Sequence, residues 1–148
     1  MSTEIYAEQK VLIKIKPILQ KLAIWVTEKL NLPVETLNVI ITDDEYLKKM
    51  HAQYLDDDSY TDVMTFDLGE PDRIEGEIYI SLDRAMEQSA DNRVSLPEEL
   101  SRLVIHGILH LAGQDDREPA DRKKMKKRED DLLFETTKLF LNNTEEIA

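Results

Sequence analysis

Cysteine is absent from this chain of 148 residues. That excludes both a disulfide framework and a thiolate metal site. No run of roughly 18 apolar residues occurs, so no transmembrane helix is expected and no membrane partner is implied. The first ten residues, MSTEIYAEQK, lack the basic and apolar regions of a secretory leader. Together these absences point to a soluble, cytoplasmic protein. Positive charge is also short: 19 Lys and Arg stand against 31 Asp and Glu, for a net charge of -12. Such a balance argues against a surface that coats nucleic acid generally. A local basic site remains compatible with it, because exposed charges more than about 8 Å apart are largely screened at physiological salt. No internal repeat, linker or low-complexity block divides the chain, so residues 1–148 are read as a single domain.

What is present suits a globular core. Hydrophobic residues make up 41% of the chain, and the length is that of one ordinary domain. Residues 4–8 suggest a short strand. VLIKIKP is ambiguous, because Val11, Ile13 and Ile15 alternate as in a strand. Pro17 then suits the first turn of a helix with an apolar stripe at Ile18, Leu22, Trp25 and Val26. TLNVIIT (36–42) is short and β-branched, and reads as a buried strand. Thr42 and Glu45 have capping-box spacing ahead of a helix over DDEYLKKMHAQYL. VMTFDL and EIYISL alternate and flank a loop with Gly69, Pro71 and Asp72, which predicts a hairpin. A helix over about 83–91 follows. Ser95 can cap the next helix, with Pro97 in its first turn. Residues 103–112 are apolar nearly all round, which marks a central buried helix. A last helix covers about 118–141, and NNTEEIA is expected to fray. This order predicts an α+β domain, a small mixed sheet covered by helices.

The central helix carries the chemistry. In HGILHLAGQDD (106–116), His106 and His110 are four residues apart and share a helix face. Gly113 stands where a left-handed residue would end the helix. The chain can then double back and bring Asp115 or Asp116 over the imidazoles. Two imidazoles and a carboxylate around an open position make a catalytic transition-metal site. The bland alternative is a pair of core histidines bonded to backbone or carboxylates. The pattern also resembles the zinc site of metzincin proteases, but those use H-E-x-x-H, with the Glu as general base. Gly107 occupies that place here, so a protease reading loses its proton acceptor.

The same stretch resembles the signature H-G-x-L-H-L-x-G-x-D-H of the YbeY endoribonucleases, the bacterial rRNA maturation factors. His106, Gly107, Leu109, His110, Leu111, Gly113 and Asp115 match it in register. YTDVMTFDL, GEIYISLDRA and MKKREDDLL are similar to further family segments, and the likeness spans most of residues 36–135. The resemblance implies a single α+β domain with a roughly four-stranded sheet. It also implies metal-dependent cleavage of single-stranded RNA in 16S rRNA processing, with the small ribosomal subunit as partner, and a zinc ion held by three histidines. On this register His106, His110 and Asp116 are the ligands, and Asp115 is an acid orienting a ligand histidine. Asp116 replaces the family's third histidine. Asp is a legitimate zinc ligand, it lowers the charge of the centre by one unit, and it makes Fe(II) or Mn(II) more acceptable. Leu55 stands where the family usually has an arginine, which leaves a ribosome-associated metal-binding factor with little nuclease activity as the alternative.

One dense basic segment follows the ligand loop. DREPADRKKMKKRED contains Arg117, Arg122, Lys123, Lys124, Lys126, Lys127 and Arg128. It could hold an RNA backbone beside the metal, with Arg117, Lys123, Lys124 and Lys127 as the expected contacts. The competing reading is a solvated helix face with Lys126–Asp130 and Lys127–Asp131 pairs. His51 reads as an ordinary surface histidine away from the cluster. Asp43, Asp44 and the acids at 56–58 read as caps and loop residues. Thr61 and Asp62 match the family's strand start, with a turn-closing role as the alternative.

Overall fold

The structure, a computed structural model, describes residues 2–57 and 59–142. Four strands form one mixed sheet in the order β1-β2-β4-β3. The strands are β1 (Ser2–Ala7), β2 (Val34–Thr42), β3 (Val63–Asp67) and β4 (Ile74–Ser81). β1, β2 and β4 run parallel, and β3 returns antiparallel to β4 as the predicted hairpin. Among the described residues, five α-helices accompany the sheet: α1 (Lys16–Lys29), α2 (Asp44–Leu55), α3 (Leu82–Asn92), α4 (Leu96–Leu111) and α5 (Pro119–Thr136).

Period-two burial defines the core face. Ile5, Leu37, Val39, Ile41, Ile74, Ile78 and Ile80 are buried, and intervening residues such as Asn38 and Ile40 are only half-buried. β2 is therefore buried on one face rather than both. Its β-branched run hid an alternation that only the second face of the sheet reveals. Helix α4 lies across this apolar face. Its Leu100, Val104, Ile105, Ile108 and Leu109 are fully buried, each worth about 1.5–3 kcal/mol of transfer free energy. Gly107 sits where α4 comes closest to β4, and a Cβ there would lie 2.8 Å from the Ile78 side chain. The glycine permits the close crossing that sets the height of the flanking histidines over the sheet.

The termini of α3 and α4 follow side-chain chemistry. Ser95 caps α4 by accepting from the Glu98 N–H at 3.2 Å, as its spacing predicts. Ser81 caps α3 in the same way through the Arg84 N–H. The cap of α2 is Asp43 rather than Thr42, since its carboxylate accepts from the Tyr46 N–H at 2.7 Å. The alternation in VLIKIKP is not a strand. Lys10–Leu12 make a 3₁₀ turn with Leu12 and Ile15 buried and Val11 and Ile13 exposed. The last helix continues α5 through a π-helical turn, Thr137–Leu141. The expected fraying of NNTEEIA falls almost wholly outside the described residues.

Candidate metal centre

Both histidines lie on a flank of α4 that borders a cleft along β3. Their side chains are 24% and 30% exposed, at the margin of the core rather than within it. Helix α4 stops as its glycine predicts. Gly113 has φ +89°, its N–H donates to the His110 carbonyl, and the Gln114 N–H donates to the Leu109 carbonyl at 3.1 Å. This six-to-one closure is a Schellman-type stop. It reverses the chain, and the next loop returns Asp116 over the imidazoles.

The result is a compact donor triangle. The two Nε2 atoms are 3.1 Å apart. Asp116 Oδ2 lies 3.6 Å from His106 Nε2 and 3.5 Å from His110 Nε2. Tetrahedral coordination with bonds of about 2.0–2.2 Å separates donors by about 3.3–3.6 Å. The triangle thus has the size of a zinc-type first coordination sphere, and its three residues could hold a metal ion. Asp116 is the acid that converges, not its neighbour.

Asp115 does something else. Its carboxylate accepts from the Arg117 backbone N–H at 3.0 Å and pairs with the Arg117 guanidinium at 2.9 Å. Those bonds, the Arg117 N–H foremost, hold its carboxyl below the usual range. The bonds that the structure gives to Asp115, expected to orient a histidine, go to Arg117. The carboxylate closes the local turn on that residue.

Glu129 on α5 takes the orienting role. Its Oε2 accepts from His106 Nδ1 at 2.8 Å, and its Oε1 accepts from Arg102 Nη1 at 2.8 Å. Arg102 also pairs with Asp130 at 2.9 Å. With Nδ1 committed as a donor, His106 presents the Nε2 lone pair to the triangle. Burial works against the imidazolium of His106, but the Glu129 bond and charge, with Asp116 and Asp62 behind them, leave its pKa raised. Burial likewise opposes the Glu129 carboxylate, yet the bonds from His106 and Arg102 hold its pKa down. Sequence reasoning missed Glu129. The signal was its place in the buried stripe of α5, with Met125, Leu132, Leu133 and Thr136.

Two clefts meet at His106 and Asp116. One lies among α3, α4 and α5, and includes Asp62, Glu99, Arg102, Arg122 and Lys126 in its walls. The other, of about 580 Å³, runs along β3 and is closed by His51 and Leu55 at the end of α2. His51 is thus beside the cluster and not remote from it. Its side chain is 14% exposed, with Nδ1 3.0 Å from the Ser59 carbonyl oxygen. The expected RNA contacts do not gather here. Arg117 is turned to solvent on Asp115; Lys124 and Lys127 line one groove of α5, and Lys123 and Lys127 line another that they share with Arg122 and Lys126. Helical rotation brings Arg122 and Lys126 to the cleft in their place. Lys126 forms the predicted pair with Asp130 at 3.4 Å. Asp62 borders both clefts, accepts from Gln88 Nε2 at 3.2 Å, and bonds Ser81 through its carbonyl. Asp43 and Asp44 serve caps and helix packing, the latter through Ser81 and Arg84. Asp56 ends α2 in a left-handed conformation, and Asp57 binds Ser59 in the loop. Asp58 lies outside the described residues.

The chain is similar to known proteins in sequence and in fold. Over 97 residues the chain is 44% identical to the endoribonuclease YbeY of Flavobacterium psychrophilum, covering 66% of this chain and 69% of that one. It is 36% identical to the endoribonuclease YbeY of Porphyromonas gingivalis over 112 residues, 74% of each chain. The solution structure of TM1509 from Thermotoga maritima superposes with a TM-score of 0.66 at 31% identity, covering 97% of this chain and 95% of that one. The model of the family described as endoribonuclease YbeY matches residues 3–137, from β1 through the helix that carries Glu129, and the chain belongs to that family.

Proposed function

We propose that the protein is a metal-dependent endoribonuclease of the cytoplasm that cleaves single-stranded RNA during 16S rRNA maturation on the small ribosomal subunit. The supporting observation is the donor triangle of His106, His110 and Asp116, with Glu129 orienting His106. Zinc is the ion we assign to it, and the carboxylate keeps Fe(II) and Mn(II) within range. When bound, such an ion would supply Lewis-acid polarisation of a phosphodiester and activation of the attacking water. The protein's own part is positional. Glu129 fixes the His106 tautomer, and Gly113 delivers Asp116. Among the described residues, no helix is long and apolar enough to cross a membrane.

A protease built on H-E-x-x-H is disfavoured by packing as well as by sequence. Position 107 faces Ile78 in the sheet, and any side chain there would force the Ile78 side chain to shift. A second reading, a ribosome-associated factor that holds metal and RNA but cuts poorly, rests on Leu55. It is 57% exposed at the cleft where the family's arginine would offer a charge. Metal analysis of protein purified without added metal or chelator, followed by nuclease and casein assays on wild type and His106→Ala, separates these readings. Metal-dependent RNA cleavage lost in the variant supports the endoribonuclease. Metal and RNA binding without cleavage supports the factor, and unchanged metal content in His106→Ala rejects the site.

A further inference from the structure

The cleft along β3 has an unusual charge character for an RNA-cleaving protein. Among the described residues that line it there is no lysine and no arginine. Its ionisable walls are three histidines and the carboxylates of Asp62, Asp67 and Asp116. Phosphates gain little from such a surface, since carboxylates repel them and no lysine or arginine answers them. What the cleft does offer is apolar faces and free backbone. Leu55 is 57% exposed. Phe66 lines the cleft and is braced edge-on by Tyr54 at 5.7 Å and by Tyr79 at 5.9 Å between ring centroids. Tyr54 itself is 59% exposed.

The floor of the cleft is a sheet edge. β3 is the terminal strand and pairs with β4 alone. The Ser81 N–H donates to the Asp62 carbonyl and the Leu68 N–H to the Glu75 carbonyl. Antiparallel pairing alternates, so Met64 and Phe66 also bond toward β4. The backbone N–H and C=O groups of Val63, Thr65 and Asp67 consequently face away from the sheet. Open edges are usually guarded by lysine or proline. VMTFD has neither.

Resting on the endoribonuclease reading, we propose that this cleft is the base-binding side of the active site. Unpaired nucleobases next to the scissile phosphate stack against Phe66 and Leu55, and their edges hydrogen-bond to the outward backbone of β3. The sugar-phosphate chain stays outside the cleft except where it reaches the metal ligands. Duplexed bases have their faces stacked and their pairing edges occupied, so the device selects single strands. It also accounts for Leu55: a cleft that reads bases gains from an apolar wall where a cleft that grips phosphates needs a cation.

The test uses a fluorescein-labelled short single-stranded RNA and a second oligonucleotide of the same length in which every base is removed. Binding is followed by anisotropy with chelator present, so that cleavage does not intervene. The proposal expects the abasic strand to bind at least roughly fivefold more weakly, the effect of losing even one stacked base. Phe66→Leu and the surface change Leu55→Ser should weaken the base-bearing strand and leave the abasic strand alone. Leu55→Arg should steepen the log–log salt dependence by about 0.7, the slope of one added phosphate contact on a single strand. Equal affinity for the two strands overturns the proposal, as does indifference to both Phe66→Leu and Leu55→Ser. An extended apolar peptide that adds to the β3 edge and excludes the RNA overturns it too. In each of those outcomes metal-dependent RNA cleavage by wild type leaves the endoribonuclease reading standing, whereas absence of both cleavage and RNA binding removes that reading itself.

Discussion

Replacing Glu129 with glutamine probes the least legible part of the site. The carboxylate is 10% exposed and accepts one bond on each oxygen, from His106 Nδ1 and from Arg102 Nη1. An amide has one acceptor oxygen and one NH₂ group. Either His106 or Arg102 must therefore face a donor, and the charge that answered both is gone. A hydrogen bond to a charged group is worth about 1.5–3 kcal/mol. Arg102 keeps Asp130 at 2.9 Å, so the larger cost of a fully orphaned buried charge does not apply. A loss of about 2–3 kcal/mol follows, which lowers the melting temperature of a domain this size by roughly 5–10 °C.

The same substitution should loosen the metal. Without Glu129 the His106 ring is free to turn, and its Nδ1 proton is no longer enforced. Removing such a partner typically lowers metal affinity by about 10–100-fold. Competition against a chromophoric zinc chelator measures this, and thermal melts of the metal-free protein measure the stability arm. Asp130→Asn is the control, because Asp130 touches Arg102 without touching either histidine. It should cost under about 1 kcal/mol, as an exposed pair does, and leave zinc affinity unchanged. Wild-type zinc affinity in Glu129→Gln, or an equal loss in Asp130→Asn, would refute the argument that Glu129 aims His106.

Other expectations follow from the same geometry. Asp116→Ala should lose most zinc affinity while Asp115→Ala keeps it, because only the first carboxylate reaches the imidazoles; equal losses in chelator competition would count against the ligand assignment. Gly113→Ala should destabilise by roughly 1–2 kcal/mol purely through its left-handed backbone, since no atom lies within 4 Å of the added Cβ. Gly107→Ala should cost roughly 1–3 kcal/mol by contrast through overpacking against Ile78, and urea denaturation compares the two. Burial holds the Glu99 carboxyl above the usual range, against the pull of Arg102 and Asn92. The folded state thus binds that proton more tightly, and the associated stability is present below the unfolded pKa and lost as pH rises through the folded one. Glu99→Gln should therefore gain melting temperature over wild type near neutral pH and less in acid; the reverse order in melts at the two pH values would contradict this sign.

The legible parts of the fold and site were those fixed within a few residues of sequence. Two histidines four apart share a face whatever surrounds the helix, and Gly113 announces its own stop. The parts that went astray needed a second element. His51 looks like a surface residue on an isolated amphipathic helix, and becomes a cleft wall only when α2 lies beside β3. The basic run looks like one patch in one dimension. On α5 the helical period divides it, sending Arg122 and Lys126 with Met125 and Glu129 toward the site and leaving Lys124 and Lys127 on another groove. The docking angle of α5 decides this, and Glu129 could have revealed it. An acid at a stripe position otherwise held by Met125, Leu132, Leu133 and Thr136 must have a partner in the core it faces.

The two departures that the sequence resemblance implies act in the same electrostatic direction. Asp116 for histidine and Leu55 for arginine each remove positive potential, and both border the cleft along β3. The compensating cations lie across the divide made by His106, where Arg102, Arg122 and Lys126 line the neighbouring cleft. Yet Arg102 is committed to Glu129 and Asp130, Lys126 to Asp130, and Arg122 to the carbonyls of Asp116 and Arg117. Each of these groups thus already has a partner within the protein, and Arg102 in particular holds the acid that orients His106. On the proposed reading, a chain of net charge -12 gains from substrate contacts that need no side-chain cation. The apolar wall, the aromatic brace and the open strand edge beside the ligands are the groups able to supply them.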